Sequence, residues 1–272
     1  MNTLDKINAH KRKEVDENKI LYPVKLLERS NFFQTKTVSL EKYLKREDKN
    51  GIIAEIKKKS PSAGAINPYV DVERTSIGYM QAGSSAISVL TDKHFFGGSN
   101  QDLITARKFN FCPILRKDFI VDEYQIVEAK SIGADAILLI ATSLNKNEIA
   151  SFTDLAFSLG LEVLFEIHAE EELEKIPSNA KMIGVNNRNL KSMKIDLETS
   201  YSMISKLPQH VTKVTESGIE NPDDIIQLKN IGYSGFLIGS YFMKHTEPSL
   251  ACKELANALQ LKSSNNILSH AH

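Results

Sequence analysis

The stretch IIAEIKKKSPSAG, residues 52–64, decides the fold. It opens with an apolar run that contains Glu55 and is followed by Lys57, and apolar runs of this kind are typical of buried parallel strands. Because side chains alternate along a strand, Ile53, Glu55 and Lys57 share one face, whereas the opposite face is wholly apolar and must meet helices. We therefore expect Glu55 and Lys57 to point into a closed sheet, with Lys57 nearer its carboxyl end.

Apolar runs of strand length alternate with helical patterns along the rest of the chain. They cover residues 52–56, 85–90, 113–116, 135–140, 161–165, 182–185, 211–215 and 235–238. Their mean spacing of about 26 residues suits one strand and one helix per unit. Repeated units of this kind predict an α/β protein with a (β/α)8 TIM barrel, in which a parallel sheet closes on itself inside a ring of helices. A doubly wound open sheet is the alternative.

The regions that flank these units differ from them in pattern. Residues 1–50 have only weak helical periodicity, which predicts an N-terminal helical extension. Residues 51–261 form the predicted barrel, and nothing in their pattern demands a second domain. Residues 262–272 are rich in Asn and Ser, so we expect a polar, disordered tail.

Composition restricts the class of protein. Lys plus Arg and Asp plus Glu each number 34, so bulk charge gives no reason to expect nucleic acid or an anionic membrane as a partner. Cys112 and Cys252 have no metal-like spacing, which favours a reduced compartment. No signal-peptide core and no apolar stretch of about 18 residues is evident. These features predict a soluble, cytoplasmic protein.

Polar side chains stand at the carboxyl ends of several predicted strands. Besides Glu55 and Lys57, they are Lys117, Glu166, Asn186 and Glu216. An unpaired charge in such a place costs several kcal/mol, so one interpretation is an interior network of ion pairs without chemistry. The recurrence of such groups at the same end of different strands instead favours a site. Crowded titratable groups have perturbed pKa values, which support general acid and base catalysis.

Two loops near the end of the predicted barrel contain glycine. Ser217 and Gly218 follow the seventh strand, and Gly239 and Ser240 follow the eighth. In this fold these loops commonly bind phosphate through backbone N–H groups, although each could be a plain turn.

The loops that follow the first three strands carry further candidates. Lys57–Gly64 forms a basic loop that we expect to be mobile, and Lys58 and Lys59 in it are as well explained by solvation as by ligand binding. Aromatic side chains that could sandwich a substrate, or simply pack in the core, are Tyr69, Phe95, Phe96 and Phe119.

Seven segments resemble the indole-3-glycerol phosphate synthase family. They are IIAEIKKKSPSAG, AISVLTDKHFFGGS, PILRKDFIVDEYQI, GLEVLFEIH, IGVNNRNL, VTESGI and GFLIGSYFM. The resemblance implies a barrel that converts 1-(2-carboxyphenylamino)-1-deoxyribulose 5-phosphate to indole-3-glycerol phosphate, with loss of carbon dioxide and water. It also implies an N-terminal extension over the barrel mouth, a phosphorylated small-molecule substrate, and no metal or organic cofactor. We expect a monomer or a weak homo-oligomer.

The resemblance also assigns roles by position. It places the general acid on Lys117, the general base on Glu166 and a second essential lysine on Lys57. Glu55, Asn186 and Glu216 match supporting polar positions in the site. The candidate substrate and phosphate contacts are Ser60, Phe96, Arg188, Ser217, Gly218, Leu237, Gly239 and Ser240.

Three other functions suit a barrel of this kind. An isomerase of the phosphoribosylanthranilate type shares the phosphate loops but typically uses Cys and Asp, whereas Cys112 starts the third strand and no Cys ends the first. A flavin-dependent oxidoreductase would hold its cofactor in the same loops. A barrel without activity, serving as a binding scaffold, is disfavoured because every catalytic position of the family is filled.

Overall fold

The computed structural model describes residues 2–189 and 192–269, and side chains only as far as residue 262. Eight parallel strands form a closed barrel in which β8 pairs with β1. The strands are β1 Ile52–Ile56, β2 Ala86–Leu90, β3 Ile114–Lys117, β4 Ala136–Ile140, β5 Glu162–Ile167, β6 Met182–Asn186, β7 Thr212–Glu216 and β8 Gly235–Ile238. The predicted (β/α)8 barrel is therefore confirmed, and the open sheet is wrong.

Helices surround this barrel and close its ends. The α-helices are α1 Thr3–Leu21, α2 Val24–Leu27, α3 Leu40–Leu44, α4 Val72–Gln81, α5 Asn100–Phe109, α6 Tyr124–Ser131, α7 Lys146–Ser158, α8 Glu198–Met203, α9 Pro222–Asn230, α10 Ser240–Met243 and α11 Pro248–Ser269. Strand β5 is followed instead by a 3₁₀ helix, Glu170–Lys175. None of the described helices is both long and apolar enough to span a membrane.

The helix boundaries follow local capping chemistry. The Asn145 side chain accepts the amide of Glu148, whose carboxylate accepts the amide of Asn145 in return, so a capping box starts α7. Asn221 caps α9 in a similar way, with Pro222 at its first position, and the helix ends before Gly232. These residues therefore fix where the two helices begin.

The strands separate two apolar layers. Ile52, Ala54 and Ile56 of β1 pack outward against the helices, whereas Ile53 lies inside the barrel with the inward residues of the other strands. This is the alternation predicted for β1. The interior cluster around Ile53 is apolar, and the inward polar residues that line a cavity lie at the carboxyl end of the strands.

The N-terminal extension is divided between the two ends of the barrel. Helix α3 inserts Leu40 and Leu44 into the interior cluster beside Ile53, at the amino end of the strands. Helix α1 lies at the other end, where Leu4 and Ile7 contribute to the wall of a cavity. Its two parts therefore pack against different surfaces of the barrel.

The C-terminal helix extends further along the chain than the sequence pattern indicated. The backbone of α11 is helical as far as Ser269, beyond the start of the predicted tail at residue 262. The disorder of this tail stays a prediction, and residues 270–272 lie outside the described part of the chain.

Candidate active site

A cavity of about 130 Å³ opens at the carboxyl end of the barrel. All the candidate catalytic side chains line it, namely Glu55, Lys57, Lys117, Glu166, Asn186 and Glu216. Five candidate binding residues line the same cavity: Ser60, Phe96, Arg188, Ser217 and Leu237. Gly218, Gly239 and Ser240 line an adjoining cavity of about 420 Å³. The strand-end pattern of the sequence thus corresponds to one site.

Lys117 occupies the centre of the charged groups. Its Nζ lies 2.7 Å from Glu166 Oε2 and 2.7 Å from Glu216 Oε2, so one ammonium joins strands β3, β5 and β7. All three side chains are nearly buried, with 12% of Lys117 exposed and less of either glutamate. An ammonium held at the cavity surface can donate a proton to a bound oxygen and recover one from a neighbouring carboxyl.

The protonation of these groups follows from their neighbours. Burial favours neutral lysine, but Glu166, Glu216 and Glu55 outweigh it and raise the pKa of Lys117. Burial also favours the neutral form of Glu166, yet Lys117 and His168 lower its pKa to about 2. In Glu216 burial prevails, and with the charge of Glu166 it raises the pKa to about 7 against the pull of Lys117. Because both carboxyls share one ammonium, these values belong to the pair, and Glu216 is the member that accepts a proton first.

The position of the Glu216 carboxyl depends on a glycine, Gly184, in the neighbouring strand. A Cβ on Gly184 of β6 would lie 2.5 Å from Glu216 Oε1, closer than atoms can approach. The glycine therefore leaves the space in which the carboxyl turns toward Lys117. The same Oε1 is buried without a hydrogen-bond partner, which is consistent with the raised pKa of Glu216.

Lys57 forms a second ion pair on the other side of the cavity. Its Nζ lies 3.0 Å from Glu55 Oε1, and 13% of the lysine side chain is exposed. A Cβ on Gly239 would lie 2.3 Å from the same Glu55 oxygen. Gly239 therefore accommodates Glu55, and substituting it would disturb the Lys57 ion pair as well as any ligand in the adjoining cavity.

The adjoining cavity is lined by groups suited to an anion. Ser217 has a left-handed φ of 70°, which is uncommon for a residue other than glycine, and Asn187 Nδ2 donates to its carbonyl at 3.0 Å. Arg188 reaches across to Ser62, with Nη1 donating to Oγ at 3.1 Å. Lys244 also lines this cavity and contacts Glu220 at 3.3 Å. The sequence interpretation did not include Ser62 or Lys244.

The basic loop after β1 forms a short antiparallel hairpin of Lys59–Ser60 with Gly64–Ala65. Lys58 is paired with Asp102 at 2.8 Å, and Lys59 donates to the carbonyl of His94. Neither lysine lines the main cavity or the adjoining one. Solvated or structural roles therefore explain these two lysines better than ligand binding does.

The four aromatic candidates divide into two groups. The rings of Phe96 and Phe119 lie 5.6 Å apart, and both line the main cavity, where they can hold an aromatic ring. Phe95 contacts the rings of His10 and His94 instead. Tyr69 is 95% exposed and lines neither cavity.

His168 was missed as a candidate although it follows Glu166 by two residues. Its Nε2 lies 3.3 Å from Glu166 Oε1, and its Nδ1 lies 3.1 Å from Thr142 Oγ1. Burial opposes its protonation, but hydrogen bonding to Glu172 and the charge of Glu166 raise the pKa of His168. The alternation of inward residues along β5 was the available signal, since Glu166 and His168 share a parity.

The cysteines lie away from this site. Cys112 and Cys252 are buried and free, and burial raises the pKa of both thiols to about 12. Cys112 packs in the outer layer before β3 begins, so it cannot serve as the acid or base of an isomerase-type barrel. Among the side chains described, those of residues 2–189 and 192–262, no group of three or more His, Cys, Asp or Glu is arranged to hold a metal ion.

Comparison with known proteins identifies the family of the chain. A family model described as indole-3-glycerol phosphate synthase matches residues 4–255. The chain belongs to the indole-3-glycerol phosphate synthase family. A family member from Bacteroides thetaiotaomicron is 44% identical over 257 residues, covering 94% of this chain and 98% of the relative. Another, from Thermoanaerobacter pseudethanolicus, is 43% identical over 242 residues, covering 89% and 92%.

More distant solved structures share only the fold with this member of the indole-3-glycerol phosphate synthase family. A thiamine phosphate pyrophosphorylase from Pyrococcus furiosus superposes with a TM-score of 0.58 at 17% identity, covering 82% of this chain and 98% of that one. A mutant tryptophan synthase α-subunit from the same organism gives 0.58 at 14% identity, covering 78% and 98%. Their resemblance supports the barrel and carries no argument about activity.

Proposed function

We propose that this chain is an indole-3-glycerol phosphate synthase, a carboxy-lyase of tryptophan biosynthesis. It would convert 1-(2-carboxyphenylamino)-1-deoxyribulose 5-phosphate to indole-3-glycerol phosphate, carbon dioxide and water. The observation that carries the proposal is the Lys117 ammonium, held between Glu166 and Glu216 at a cavity that also contains Lys57 and a pair of aromatic rings. Family membership supplies the reaction, and the geometry supports the roles below.

Lys117 acts as the general acid of ring closure. The ring carbon that bears the carboxylate attacks the ketone carbon, and the carbonyl π electrons move to the oxygen, which takes a proton from Lys117. Glu166 and Glu216 hold the ammonium at 2.7 Å and can return a proton to it afterwards. Carbon dioxide then leaves, and the electrons of the broken carbon–carbon bond restore the aromatic ring.

Glu166 acts as the base of the dehydration that follows. The new hydroxyl takes a proton from the recharged Lys117 and leaves as water, while the neighbouring methylene loses a proton to Glu166, so that the pyrrole double bond forms. Ion pairing with Lys117 keeps Glu166 ionised in the free protein, with a pKa of about 2. When the ammonium turns toward the substrate, this pairing weakens and the basicity of Glu166 rises. Glu216, with its raised pKa, supplies the proton that recharges Lys117 between the two steps. The proton taken by Glu166 and one from solvent then restore Lys117 and Glu216 for the next cycle.

Lys57 and the aromatic rings orient the substrate. Lys57 faces the cavity from β1 and can pair with the anthranilate carboxylate, while Phe96 and Phe119 hold the ring. Orientation of this kind can contribute several kcal/mol to the barrier in favourable cases. Glu55 positions Lys57 at 3.0 Å, and Asn186 hydrogen-bonds to Glu166.

The substrate phosphate would occupy the adjoining cavity. Backbone groups near Gly218 and Gly239, the hydroxyls of Ser60 and Ser240, and the cations of Arg188 and Lys244 converge there. We therefore expect Lys244→Met to raise KM severalfold with little change in kcat. Gly239→Val is unsuitable for this purpose, because its side chain would strike Glu55.

A direct assay tests the activity. The chain contains no Trp, so the indole fluorescence of the product would rise from a low protein background. Incubation with 1-(2-carboxyphenylamino)-1-deoxyribulose 5-phosphate should give that signal together with one carbon dioxide per indole formed. No signal from folded protein would refute the proposal, and indole formation would also exclude the inactive scaffold.

The remaining properties are proposals that follow from family and composition. We propose a cytoplasmic enzyme that is a monomer or weak homo-oligomer and needs no organic cofactor or metal. Activity that survives dialysis against a chelator, measured on a colourless preparation, would support the last point and would argue against a flavin-dependent barrel. Sedimentation at several protein concentrations would measure the oligomeric state.

A further inference from the structure

Lys11 of α1 is buried among carboxylates outside the site described above. Only 1% of its side chain is exposed, and its Nζ lies 2.9 Å from Asp92 Oδ2 and 3.1 Å from Asp118 Oδ1. Glu14, on the same helix, lies 2.9 Å away at the edge of the cluster. Burial favours neutral lysine, but Asp118, Asp92 and Glu14 outweigh it and raise the pKa of Lys11, so the ammonium is charged.

Asp92 connects this ammonium to an aromatic wall of the substrate cavity. The carboxylate follows strand β2, and its Oδ1 accepts the amides of Phe95 at 2.6 Å and Phe96 at 3.0 Å. Its other oxygen faces Lys11 in an ion pair whose geometry is not that of a hydrogen bond. The loop that places the Phe96 ring in the cavity is therefore held by a carboxylate that Lys11 neutralises.

Asp118 connects the same ammonium to the proposed general acid. It directly follows Lys117, and its Oδ2 accepts from Thr91 Oγ1 at 2.5 Å and from Arg116 Nη2 at 3.2 Å. Its Oδ1 accepts the amide of Phe119 at 2.8 Å and also faces Lys11. A shift of this carboxylate would thus move the end of β3, from which Lys117 projects.

Helix α1 itself forms part of the cavity wall. Thr3, Leu4 and Ile7 line the main cavity, and Lys11 lies one turn further along the helix from Ile7. A second ion pair, between Lys19 and Asp122 at 2.7 Å, also joins α1 to the segment after β3, but about 40% of Lys19 is exposed. Exposed pairs contribute little, so the buried cluster is the stronger link.

We propose that Lys11 is a positioning residue of the active site, whose ammonium joins α1 to the loop that carries Phe96 and to the residue next to Lys117. The inference rests on the proposed function, because it concerns the same cavity. It makes the first helix a component of the site, with the buried charge as its attachment.

Loss of the ammonium would remove the shared counter-charge of Asp92 and Asp118, and of the two buried carboxylates only Asp118 would keep a cation, Arg116 at 3.2 Å. Unpaired buried carboxylates are strongly unfavourable, and like charges repel. The loops after β2 and β3 would then move apart, or α1 would lift so that water reaches the carboxylates. Either response widens the aromatic wall around the substrate and displaces Lys117.

Lys11→Met tests the proposal, with Lys19→Met as the matched control on the same helix. We expect Lys11→Met to lower kcat/KM by roughly tenfold to a hundredfold, as for a small displacement of reacting groups. Amide hydrogen exchange should become faster in α1 and at Phe95 and Phe96. Lys19→Met should leave both measurements near those of the unmodified protein.

The double variant Lys11→Met, Asp92→Asn separates positioning from a general loss of stability. It restores the net charge of the cluster, and Asn keeps an oxygen for the amides of Phe95 and Phe96. We expect kcat to recover more than KM, because Lys117 returns to position while α1 stays unattached. If Lys11→Met does not fold, the double variant, whose charge is balanced, still tests the proposal, because its KM should remain raised.

The outcomes separate this inference from the proposed activity. Hydrogen exchange requires no substrate, so it tests the attachment of α1 even if the unmodified protein fails to form indole. Unchanged exchange and unchanged kinetics in folded Lys11→Met would overturn the role of Lys11 and leave the activity intact. A normal KM in the double variant would also overturn it.

Discussion

The N-terminal extension packs against both ends of the barrel, but with opposite chemistry. At the amino end of the strands, α3 inserts Leu40 and Leu44 into an apolar interior cluster. At the carboxyl end, α1 adds Leu4 and Ile7 to a cavity lined by lysines and glutamates. The amino end is filled by packed apolar side chains, whereas the carboxyl end contains an open cavity lined by charged groups.

This difference indicates that one end of the barrel contributes mainly to stability and the other mainly to activity. An apolar plug can lose volume without changing proton transfer at the mouth, because Glu162, the carboxylate that accepts hydrogen bonds from the start of α3, is not among the groups that line the cavity. At the mouth, each charged group is held by another, so that one substitution changes the protonation of its neighbours. Variants at the two ends should therefore affect different measurements.

The largest expected effect is at the mouth. Lys117→Met removes the ammonium that faces both glutamates and should lower kcat by roughly two to four orders of magnitude while substrate still binds. Lys213→Met, a lysine of β7 with the outward parity, is the control and should keep near-normal turnover. Indole fluorescence measures both, and normal turnover in folded Lys117→Met would refute its role as the acid.

At the opposite end, the expected change is in stability. Leu40→Ala removes a fully buried side chain from the apolar plug and should lower the free energy of unfolding by about 2–5 kcal/mol. The kcat of the protein that remains folded should be unchanged. Urea denaturation and the fluorescence assay measure the two quantities, and a large fall in kcat would show that the two ends are coupled.

Removing α1 alone should have a smaller effect. Residues 1–40 cannot be deleted as one unit, because Leu40 belongs to the plug. Deleting residues 2–21 leaves α3 in place but removes Lys11 together with the cavity wall, so the barrel should fold with a raised KM and with kcat/KM lowered by roughly tenfold to a hundredfold. Loop Lys57–Gly64 should become more sensitive to protease. If KM is unchanged, α1 is not a functional wall of the cavity.

The smallest expected effect is on the pH dependence of stability. With a pKa of about 7, Glu216 holds a proton in the folded state that its unfolded form releases near its ordinary value of 4.5, so its contribution to stability falls as pH rises through this interval. Glu166 acts in the opposite direction, because its pKa of about 2 makes its contribution fall as pH drops below 4.5. Glu216→Gln should therefore flatten the stability profile between pH 4.5 and 7.

Urea denaturation over this range measures the effect. Glu171→Gln, at an exposed position of the 3₁₀ helix, is the control and should follow the profile of the unmodified protein. If the stability profile of Glu216→Gln is as steep as that of the unmodified protein, a group other than Glu216 must bind the proton between pH 4.5 and 7.

Sequence predicted the barrel well because its signals are local. Each strand is a short apolar run, and parity along β1 correctly predicted that Glu55 and Lys57 face inward. Strand-end position then brought Lys117, Glu166 and Glu216 together, since all parallel strands of a barrel end at one mouth. This part of the site could therefore be predicted without information on which residues far apart in the chain are in contact.

The missed features depend on contacts between residues far apart in the chain. Lys11 looks like one charge among many on a surface helix, and only packing against the loops after β2 and β3 buries it. Gly184 reads as an ordinary strand glycine until Glu216 is found beside it. Lys58 and Tyr69 are the opposite case. The chemistry of each side chain suited a ligand, but Lys58 is paired with Asp102 and Tyr69 is exposed to solvent.

The burial of both thiols makes selective labelling of the mouth practical. Cys112 and Cys252 are inaccessible and have pKa values near 12, so they should not react with thiol reagents at neutral pH. A cysteine at exposed Ala9 of α1 and another at exposed Ala63 of the hairpin would then accept a pair of dyes. Energy transfer between the dyes would then show whether the hairpin moves relative to α1 in solution during turnover.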